Sequence, residues 1–432
     1  MAAHDDLPVI TAPVNCTVAV PGSKSIANRA LVCAALAGGG TELSNVPDGD
    51  DSTAMIHGLR ALGVDIVGSD NGTLRFESAL DLSSERFVRV DARLAGTTSR
   101  FLTALCALRA GGAVIDGAAA LRGRPMLDLH DALERLGAHV NPLGDRGHLP
   151  VEVSLGGLRG GEIDIPGAVS SQFTTALLLV APYLQGGLTL VVSGDRVSNS
   201  YIEMTVAVMR EFGARIECVE NEAGLRVVVF EGAYVPRYYA IEPDASSASY
   251  PLAIAAVSGG AVTIDGLGQT SLQGDAQFAR VLELMGCEVE VGLDSVTVRR
   301  DLAKPLRGID INMVDMSDLV PTLAVVALFA GDVTRIRGVG FIRRKESDRL
   351  GDLAAELRLC GAGIVEVEDG LIIEPAPLVG AHLGTHHDHR LAMSFAVLAG
   401  RVSGISLDDP GVVSKSWPGY WSMRAAMAAS GV

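Results

Sequence analysis

The sequence predicts an α/β protein of two domains, each built from three copies of a unit that mixes strands with two helices. Three observations lead to this fold class. The length of 432 residues exceeds what one hydrophobic core usually supports. A helix that ends in glycine recurs along the chain at a nearly constant spacing, and a second, more apolar helix recurs with the same period.

The first repeated element is a helix that ends in glycine, usually followed by a strand rich in valine or isoleucine. The glycines are separated by 74, 76, 73, 75 and 70 residues, and they are Gly63, Gly137, Gly213, Gly286, Gly361 and Gly431. Glycine is favoured just past the end of a helix because that position often needs a left-handed backbone. We therefore expect this conformation at the repeated glycines. No strand follows the last one.

The second repeated element is a helix with Ala, Leu and Val on most faces, which indicates burial. These helices are predicted at residues 23–36, 97–108, 170–184, 246–257, 318–330 and 389–398. Short strand patterns precede them at residues 17–20, 87–90, 162–165, 239–241 and 308–311, with a weaker one before His386. The repeated unit of roughly 73 residues thus has the size of a supersecondary motif.

Composition excludes several classes of protein. Apolar residues make up 48% and charged residues 20%, which excludes a disordered or coiled-coil chain. The net charge of −16 argues against a nucleic-acid partner. No apolar run reaches the roughly 20 residues needed to cross a membrane, and the start lacks the pattern of a secretory signal. The six cysteines are scattered, without a C-x-x-C pair. We expect a cytoplasmic protein, monomeric because no exposed apolar stripe is evident.

Cations near the starts of the apolar helices predict an anionic ligand. The Ser, Thr and Asp residues that begin these helices are ordinary N-caps. Capping does not explain Lys24, Arg29, Arg100 and Arg390, because a cation near a helix N-terminus destabilises the helix by about 0.3–1 kcal/mol. A bound anion explains them, since the free N–H groups of a helix N-terminus attract one. The pattern predicts a small substrate that carries several negative charges.

Two other segments have an open interpretation from the residues alone. Arg122 and Arg124 flank Gly123 in a turn that is either a solvated basic loop or part of the anion site. Lys345 and Glu346 either belong to a charged loop or form a proton-transfer pair. The second interpretation is reasonable because neighbouring charges shift pKa values toward the working pH.

Nucleotide and metal sites are not expected. The segment 21–29 lacks the spacing of a P-loop. The histidines of segment 382–389 do not form a convincing metal site, since Gly384 interrupts the H-x-x-x-H pair of His382 and His386. We therefore expect neither a metal nor a cofactor.

An ordered set of motifs resembles the 5-enolpyruvylshikimate-3-phosphate (EPSP) synthase family over nearly the whole chain. The motifs are P-G-S-K-S-I-x-N-R at 21–29, A-G-T-x-x-R at 95–100, S-S-Q-F at 170–173, D-A-S-S-A-S-Y at 244–250, K-E-S-D-R-L at 345–350 and D-H-R at 388–390, followed by Lys415. The resemblance implies the two-domain enolpyruvyl transferase fold, in which each domain holds three βαβαββ repeats as an inside-out α/β barrel. It also implies that the N-termini of the buried helices face the cleft. The expected domains are residues 1–23 with 242–432, and residues 24–241.

The resemblance also implies a reaction in the shikimate pathway, which leads to chorismate and the aromatic amino acids. The enolpyruvyl group of phosphoenolpyruvate is transferred to the 5-hydroxyl of shikimate-3-phosphate, and phosphate is released. Addition gives a tetrahedral intermediate and elimination resolves it, without a metal or a nucleotide. The implied partners are these two small molecules.

Site residues follow from the resemblance position by position. Those implied to bind shikimate-3-phosphate are Lys24, Ser25, Arg29, Ser170, Ser171, Gln172, Ser198, Tyr201, Asp318 and Lys345. Those implied to bind phosphoenolpyruvate are Lys24, Gly96, Arg124, Gln172, Arg349, Arg390 and Lys415. The implied catalytic residues are Lys24, Asp318, which accepts the hydroxyl proton, and Glu346, which protonates the methylene carbon.

Four positions depart from the family pattern without removing a charged catalytic group. Leu94 stands where the family often has Asn, and Phe101 stands where many members have Pro. His387 replaces the Asn that commonly precedes D-H-R, and Phe341 stands where some members have an Asn that contacts shikimate.

Two alternatives stay open at this point. UDP-N-acetylglucosamine enolpyruvyl transferase shares the fold, but that family has Lys-Asn at Lys24-Ser25 and a reactive cysteine before its Arg-Pro. No Cys lies between Gly111 and Pro125, and Cys106 falls inside an apolar helix, where burial makes a thiol inert. The other alternative is a non-catalytic repeat protein that binds an anion. The carboxylates Asp318 and Glu346 among the cations argue against it.

Overall fold

The structure, a computed structural model, describes residues 5–69, 72–156, 158–167, 170–194, 199–221 and 224–431. The chain forms two compact units. The continuous unit is Gly22–Ile241, and the discontinuous unit combines Met1–Pro21 with Glu242–Val432. None of the helices in the described ranges is both long and apolar enough to cross a membrane.

Strand β1 (Val14–Thr17) of the discontinuous unit comes first in the chain, and the elements of the continuous unit follow it. The helices of the continuous unit are α1 (Lys24–Ala37), α2 (Asp50–Ala61), α3 (Gly96–Cys106), α4 (Ala119–Arg122), α5 (Leu127–Arg135), α6 (Ser171–Val180) and α7 (Asn199–Glu211). Its strands are β2 (Thr41–Ser44), β3 (Ile66–Gly68), β4 (Leu74–Phe76), β5 (Val88–Asp91), β6 (Ala113–Asp116), β7 (His139–Pro142), β8 (Val151–Ser154), β9 (Arg159–Pro166), β10 (Gln185–Ser193), β11 (Ile216–Asn221), β12 (Gly224–Val229) and β13 (Tyr238–Ala240).

The remaining elements belong to the discontinuous unit. Its helices are α8 (Ala245–Ser258), α9 (Phe278–Leu284), α10 (Val320–Ala327), α11 (Gly351–Leu359), α12 (His389–Leu398) and α13 (Tyr420–Ala429). Its further strands are β14 (Gly260–Asp265), β15 (Glu288–Val291), β16 (Ser295–Arg300), β17 (Asp310–Asn312), β18 (Thr334–Arg337), β19 (Gly363–Val367), β20 (Gly370–Glu374), β21 (His382–Leu383) and β22 (Ser406–Leu407). Short 3-10 helices occupy Gly274–Gln277, Val314–Leu319, Gly340–Arg344 and Pro410–Lys415.

The sheets repeat one pattern, which confirms the predicted fold class. Five four-stranded sheets have the orders β13-β2-β4-β3, β5-β6-β8-β7, β9-β10-β12-β11, β1-β14-β16-β15 and β17-β18-β20-β19. In each sheet the first pairing is parallel and the other two are antiparallel. A helix connects the parallel strands within most repeats, and a second helix leads to the antiparallel hairpin, which gives the order βαβαββ.

Three repeats differ from the simple order. In the first repeat of the discontinuous unit, the whole continuous unit lies between β1 and α8 along the chain. The first repeat of the continuous unit takes its parallel strand from β13, the last strand of that unit, which pairs with β2. The last repeat of the discontinuous unit comprises β21, α12, β22 and α13, and its sheet has two strands in the described residues.

Glycines end the outer helices as expected, with one exception. Gly63, Gly137, Gly213, Gly286 and Gly361 all have left-handed backbones, with φ between 80° and 104°. Gly431 does not take this conformation.

Three helices form the centre of each unit. In the continuous unit α1, α3 and α6 contact one another, and in the discontinuous unit α8, α10 and α12 do so. The residues of α8, α10 and α12 are all buried, as the sequence predicts for an apolar helix. Their N-termini are therefore fixed by tight packing.

Some predicted boundaries are wrong, for local reasons. The strand predicted at 17–20 lies at Val14–Thr17, because pairing with β14 ends at Thr17. The helix predicted from 318 begins at Val320, since the preceding residues form a 3-10 helix and Pro321 suits the first turn. The helix predicted to 184 ends at Val180, followed by a short 3-10 helix that contains Pro182.

Candidate active site

Side-chain caps hold the N-termini of four central helices. Ser23, Ser170, Asp244 and Asp388 each accept a hydrogen bond from a backbone N–H in the first turn of α1, α6, α8 and α12. Helices α3 and α10 start without a side-chain cap. The N-terminus of α3 therefore has N–H groups that its own capping residue does not satisfy, as an anion site requires.

In the discontinuous unit, Asp318 lies among three cations. One carboxylate oxygen, Oδ1, is 2.8 Å from Arg349 Nη1 and 3.6 Å from Lys345 Nζ. The other oxygen, Oδ2, accepts a hydrogen bond of 2.8 Å from Arg390 Nη2. Residues from three separate elements thus meet at one carboxylate: the 3-10 helix Val314–Leu319, the segment before α11, and the first turn of α12.

Glu346 forms a second ion-pair centre beside the first. Its Oε2 accepts a hydrogen bond of 2.7 Å from Arg349 Nη2, and its Oε1 lies 3.2 Å from Lys415 Nζ. Lys345 contacts Asp318, so the two neighbours that suggested a proton-transfer pair have different partners in the structure. Adjacent residues of an irregular segment can point in different directions, and sequence proximity alone did not determine the pairing.

Arg349 connects the two centres. Its side chain is 1% exposed, and it also donates from Nε to Asp388 Oδ2 at 2.7 Å. Asp388 additionally accepts hydrogen bonds from Ser347 Oγ and from the backbone N–H of Arg390. One guanidinium group therefore holds Asp318, Glu346 and Asp388 in fixed positions, with the planar donor geometry that only arginine provides.

Neighbouring charges shift the pKa values of Asp318 and Arg349. Burial alone would raise the pKa of Asp318, but the positive charges of Arg390, Lys345 and Arg349 outweigh it and hold that pKa well below its ordinary value. Burial would lower the pKa of Arg349, but the carboxylates of Asp388, Glu346 and Asp318 raise it above the ordinary value. Asp318 and Arg349 are thus ionised at neutral pH.

In the continuous unit, two guanidinium groups lie against Gly96 at the start of α3. A methyl group on Gly96 would be 2.6 Å from Arg100 Nη1 and 2.7 Å from Arg124 Nη1, closer than such contacts allow. Arg100 donates to the carbonyls of Gly96 and Pro125. Within the described ranges no carboxylate forms an ion pair with Arg124, whereas its neighbour Arg122 is paired with Asp116 at 2.8 Å. The uncapped start of α3 and Arg124 together suit an anion.

Lys24 and Arg29 project from α1 into different surroundings. Lys24 Nζ lies 3.2 Å from Asp51 Oδ2 in the first turn of α2. Arg29 is buried and donates to Thr205 Oγ1 at 2.8 Å, to Thr175 Oγ1 at 3.3 Å and to the Tyr201 carbonyl at 3.1 Å. Burial lowers the pKa of Arg29 to about 10, which still leaves a cation at neutral pH. Arg29 thereby fixes the start of α7, where Tyr201 lies.

The remaining predicted residues of this unit lie mainly at the start of α6. Ser170 caps the helix by accepting a hydrogen bond of 3.3 Å from the Gln172 backbone N–H, and Ser171 is its first residue. Gln172 Oε1 is shielded from solvent and has no hydrogen-bond partner in the described part of the chain. Ser25 uses its carbonyl to accept from Arg29 Nη1. Ser198 lies outside the described residues.

The four departures from the family pattern have distinct surroundings. The rings of Phe101 and Phe341 lie 5.7 Å from the Arg29 guanidinium and 5.8 Å from Lys345 Nζ, where cation–π attraction is favourable. Leu94 is 45% exposed beside the start of α3. His387 has a left-handed backbone with φ of 56°.

Sequence reasoning missed two carboxylates that organise the clusters. Asp51 reads as an ordinary acidic residue in the first turn of α2, and Asp388 reads as an N-cap within D-H-R. Each contacts a cation from a distant segment, Lys24 and Arg349 respectively. The available signal was the position of each aspartate at a helix N-terminus, which capping and dipole effects already explain.

The histidine and cysteine residues bear on two further possibilities, a metal site and a reactive thiol. His386 Nε2 lies 2.8 Å from Glu356 Oε1. In the described ranges, no group of three or more His, Cys, Asp or Glu side chains has the arrangement of a metal site. Cys106 is buried as expected, and burial raises the pKa of its thiol to about 12. A thiol with that pKa is a poor nucleophile at neutral pH.

Comparisons with known proteins agree with these observations. The chain is 41% identical to the 3-phosphoshikimate 1-carboxyvinyltransferase of Nostoc punctiforme, with 96% of this chain and 97% of the relative covered. It is 42% identical to the protein of that name from Methanoculleus marisnigri, with 95% and 96% covered. The solved structure of EPSP synthase from Acinetobacter baumannii superimposes with a TM-score of 0.81 at 25% identity, covering 98% of this chain and 97% of that one.

The family comparison also covers almost the entire chain. The sequence profile of EPSP synthase (3-phosphoshikimate 1-carboxyvinyltransferase) covers residues 9–423, which include every predicted site residue from Lys24 to Lys415. The ordered motifs, the repeated sheets and this match lead to one conclusion: the chain belongs to the EPSP synthase family.

Proposed function

We propose that this enzyme transfers the enolpyruvyl group of phosphoenolpyruvate to the 5-hydroxyl of shikimate-3-phosphate and releases phosphate. Membership of the EPSP synthase family supports the reaction. The single structural observation that carries it is the Asp318 carboxylate, hydrogen-bonded at 2.8 Å to both Arg349 and Arg390 and accompanied by Glu346. A base, a candidate acid and cations for an anionic substrate therefore occur in one cluster.

In the proposed first step, Asp318 accepts the proton of the 5-hydroxyl while that oxygen attacks C2 of phosphoenolpyruvate. In the structure Glu346 is a carboxylate paired with Arg349 and Lys415. When the substrate anions bind these two cations, Glu346 takes up a proton and donates it to C3, which becomes a methyl group in the tetrahedral intermediate.

In the second step the Glu346 carboxylate takes a proton back from C3 while the bond between C2 and the phosphate oxygen breaks, so that the double bond forms again. Phosphate leaves with that electron pair and takes up the proton that Asp318 accepted. The cations that bind the carboxylate and phosphate of the substrate are held in place before the reaction starts. They lower the barrier because they stabilise the negative charge of the transition state without having to reorient.

The binding residues are proposed by unit. In the continuous unit, shikimate-3-phosphate would contact Lys24, Ser25, Arg29, Ser170, Ser171, Gln172, Ser198 and Tyr201, and phosphoenolpyruvate would contact Lys24, Gly96, Arg124 and Gln172. In the discontinuous unit, Asp318 and Lys345 would contact the first substrate, and Arg349, Arg390 and Lys415 the second. Lys415 and Arg349 are paired with Glu346. This supports a role for both cations in binding phosphoenolpyruvate, whose negative charges would compete with Glu346 for them.

Phosphate release tests the proposal. Wild-type protein is given phosphoenolpyruvate and shikimate-3-phosphate without added metal. We expect Asp318→Asn to lower kcat by about 10²- to 10⁴-fold, because an amide of the same shape cannot accept the proton. The matched control is Asp310→Asn, which changes an exposed aspartate of the same unit that pairs with Arg337.

A second pair of variants tests the anion site of α3. Arg124→Ala should raise KM for phosphoenolpyruvate by about tenfold or more, because charge-assisted hydrogen bonds to the substrate are lost. Arg122→Ala should leave KM unchanged, since Arg122 pairs with Asp116 on the surface. Equal effects of the two variants would contradict the assignment.

The sister reaction is not favoured, because the family match and the named relatives are EPSP synthases. UDP-N-acetylglucosamine nevertheless serves as the alternative acceptor in the same assay. Phosphate release with this acceptor and none with shikimate-3-phosphate would overturn the proposed function.

We also propose that the enzyme acts as a monomer in the cytoplasm, with the two compact units as its domains. The cysteines are free thiols, which fits a reducing compartment. Light scattering on the eluting protein, expected to give the mass of one chain, tests the oligomeric state.

A further inference from the structure

Asp275 is a buried carboxyl group that has no place in the binding and catalytic sets above. It lies on the 3-10 helix Gly274–Gln277 and is 6% exposed. One oxygen, Oδ2, accepts a hydrogen bond from Ser246 Oγ in the first turn of α8. The other oxygen, Oδ1, has no hydrogen-bond partner in the described part of the chain. A buried carboxylate that is only half satisfied is costly and calls for an explanation.

The neighbouring residue Gln273 fixes the position of Asp275. Gln273 Nε2 donates to the Pro243 carbonyl at 2.8 Å and to Glu242 Oε2 at 3.0 Å. Its Oε1 accepts from the Ala245 backbone N–H at 2.9 Å. These bonds attach the 3-10 helix of Asp275 to the start of α8. The same 3-10 helix packs against the 3-10 helix Val314–Leu319, which carries Asp318.

Charged groups from several elements surround Asp275. Asp318 and Asp244 contribute negative charge, and Arg390 contributes positive charge. On α9, Arg280 and Glu283 pair with each other at 2.9 Å on the surface. Burial, and next the charge of Asp318, raise the pKa of Asp275 to about 7, against the opposing effects of the Ser246 hydroxyl and Arg390. The carboxyl therefore changes its charge near neutral pH.

We propose that Asp275 is a positioning residue for the catalytic base, and that its negative charge makes Asp318 a stronger proton acceptor. The inference rests on the proposed function. Arg349, Arg390 and Lys345 stabilise the Asp318 carboxylate, which makes it a weak base. An ionised Asp275 opposes these cations by repulsion between like charges. A neutral Asp275 does not, so the addition step slows when Asp275 is protonated. The substrate proton itself stays on Asp318.

The test is the pH profile of kcat for phosphate release, measured from about pH 5.5 to about pH 9. Wild-type kcat should rise by about threefold or more as the pH increases and Asp275 loses its proton, and this rise is the limb of the profile assigned to Asp275. Asp275→Asn should lose this limb and remain at the low-pH level of the wild type, because the amide resembles the protonated acid. Ser246→Ala should keep the limb and move it to higher pH, because the anion loses a hydrogen bond.

Thermal unfolding gives a readout that does not need turnover. A carboxyl whose pKa is higher in the folded than in the unfolded protein stabilises the fold at low pH, and that stability is lost as the pH rises through about 7. Asparagine carries no charge at any pH. The Tm of Asp275→Asn minus that of the wild type should therefore increase between about pH 5 and about pH 8.

Each contrary result has a distinct meaning. An unchanged limb in Asp275→Asn, or a kcat below the wild-type low-pH level at every pH, would overturn the role of Asp275. A Tm difference that does not depend on pH would also overturn it. If the wild type does not turn over shikimate-3-phosphate, the proposed function is overturned, and so is the role of Asp275 in it. This holds even if the Tm difference shows that Asp275 titrates.

Discussion

Gly96 lies against two guanidinium groups, and its lack of a side chain makes room for them. The nearest atoms to an added methyl group would be Arg100 Nη1 and Arg124 Nη1. Both contacts are too short for a methyl group, so it would displace Arg124 and also disturb Arg100, which is hydrogen-bonded to the Gly96 and Pro125 carbonyls. A small residue at this position is therefore a condition for the anion site at the start of α3.

We expect Gly96→Ala to raise KM for phosphoenolpyruvate by about tenfold or more, because a displaced Arg124 no longer meets the substrate in its bound geometry. Steady-state kinetics with varied phosphoenolpyruvate measures the change. Gly232→Ala is the control, since an added methyl group there has no atom within 4 Å. An unchanged KM in Gly96→Ala would show that Arg124 does not need its present position.

Glu346 offers a second prediction for a single residue. Glu346→Gln should bind both substrates with nearly unchanged affinity and should lose most of kcat, because an amide cannot deliver the proton to C3. Its contacts with Arg349 and Lys415 would become weaker hydrogen bonds to a neutral group. Equilibrium binding and single-turnover phosphate release separate the two effects. Near-normal turnover in this variant would remove Glu346 from the mechanism.

Among the elements, α12 combines a structural and a functional task at one end. Asp388 caps the helix through the Arg390 N–H and also holds the buried Arg349 guanidinium through Nε and Nη2. In contrast, Ser23 caps α1 through the Ile26 N–H without a charge. The start of α12 is therefore stabilised by both a cap and a buried ion pair, and the same contacts orient the cluster around Asp318.

Because the two N-caps differ in charge, we expect their removal to lower the free energy of unfolding by different amounts. Asp388→Ala should lower the free energy of unfolding by about 3–5 kcal/mol, because a buried cation loses its main partner. Ser23→Ala should lower it by about 1 kcal/mol, the usual value of a cap. Urea unfolding followed by circular dichroism measures both. Similar losses in the two variants would indicate that Glu346 and Asp318 are sufficient to satisfy Arg349.

At the scale of the whole molecule, the continuous unit contains every strand of its three sheets. The chain enters it at Gly22 and leaves it after Ile241, and β13 at its end completes the sheet that begins with β2. We expect residues 22–241 to fold alone with a cooperative thermal transition. A fragment that ends before Tyr238 should have a lower Tm, because β2 loses its parallel partner. A non-cooperative transition in the longer fragment would contradict the two-domain interpretation.

The sequence alone determined the repeated architecture, the family and the residue types of the site. Helix periodicity, terminal glycines, N-caps and ordered motifs are local signals, because each depends on residues within a few turns of one another. The tertiary structure decided which charges meet. Lys24 pairs with Asp51, Arg390 with Asp318 across 72 residues, and Arg29 with neutral hydroxyls. Such pairings depend on how separate helices and turns pack, and the free energy of a buried charge depends on those neighbours rather than on its own segment.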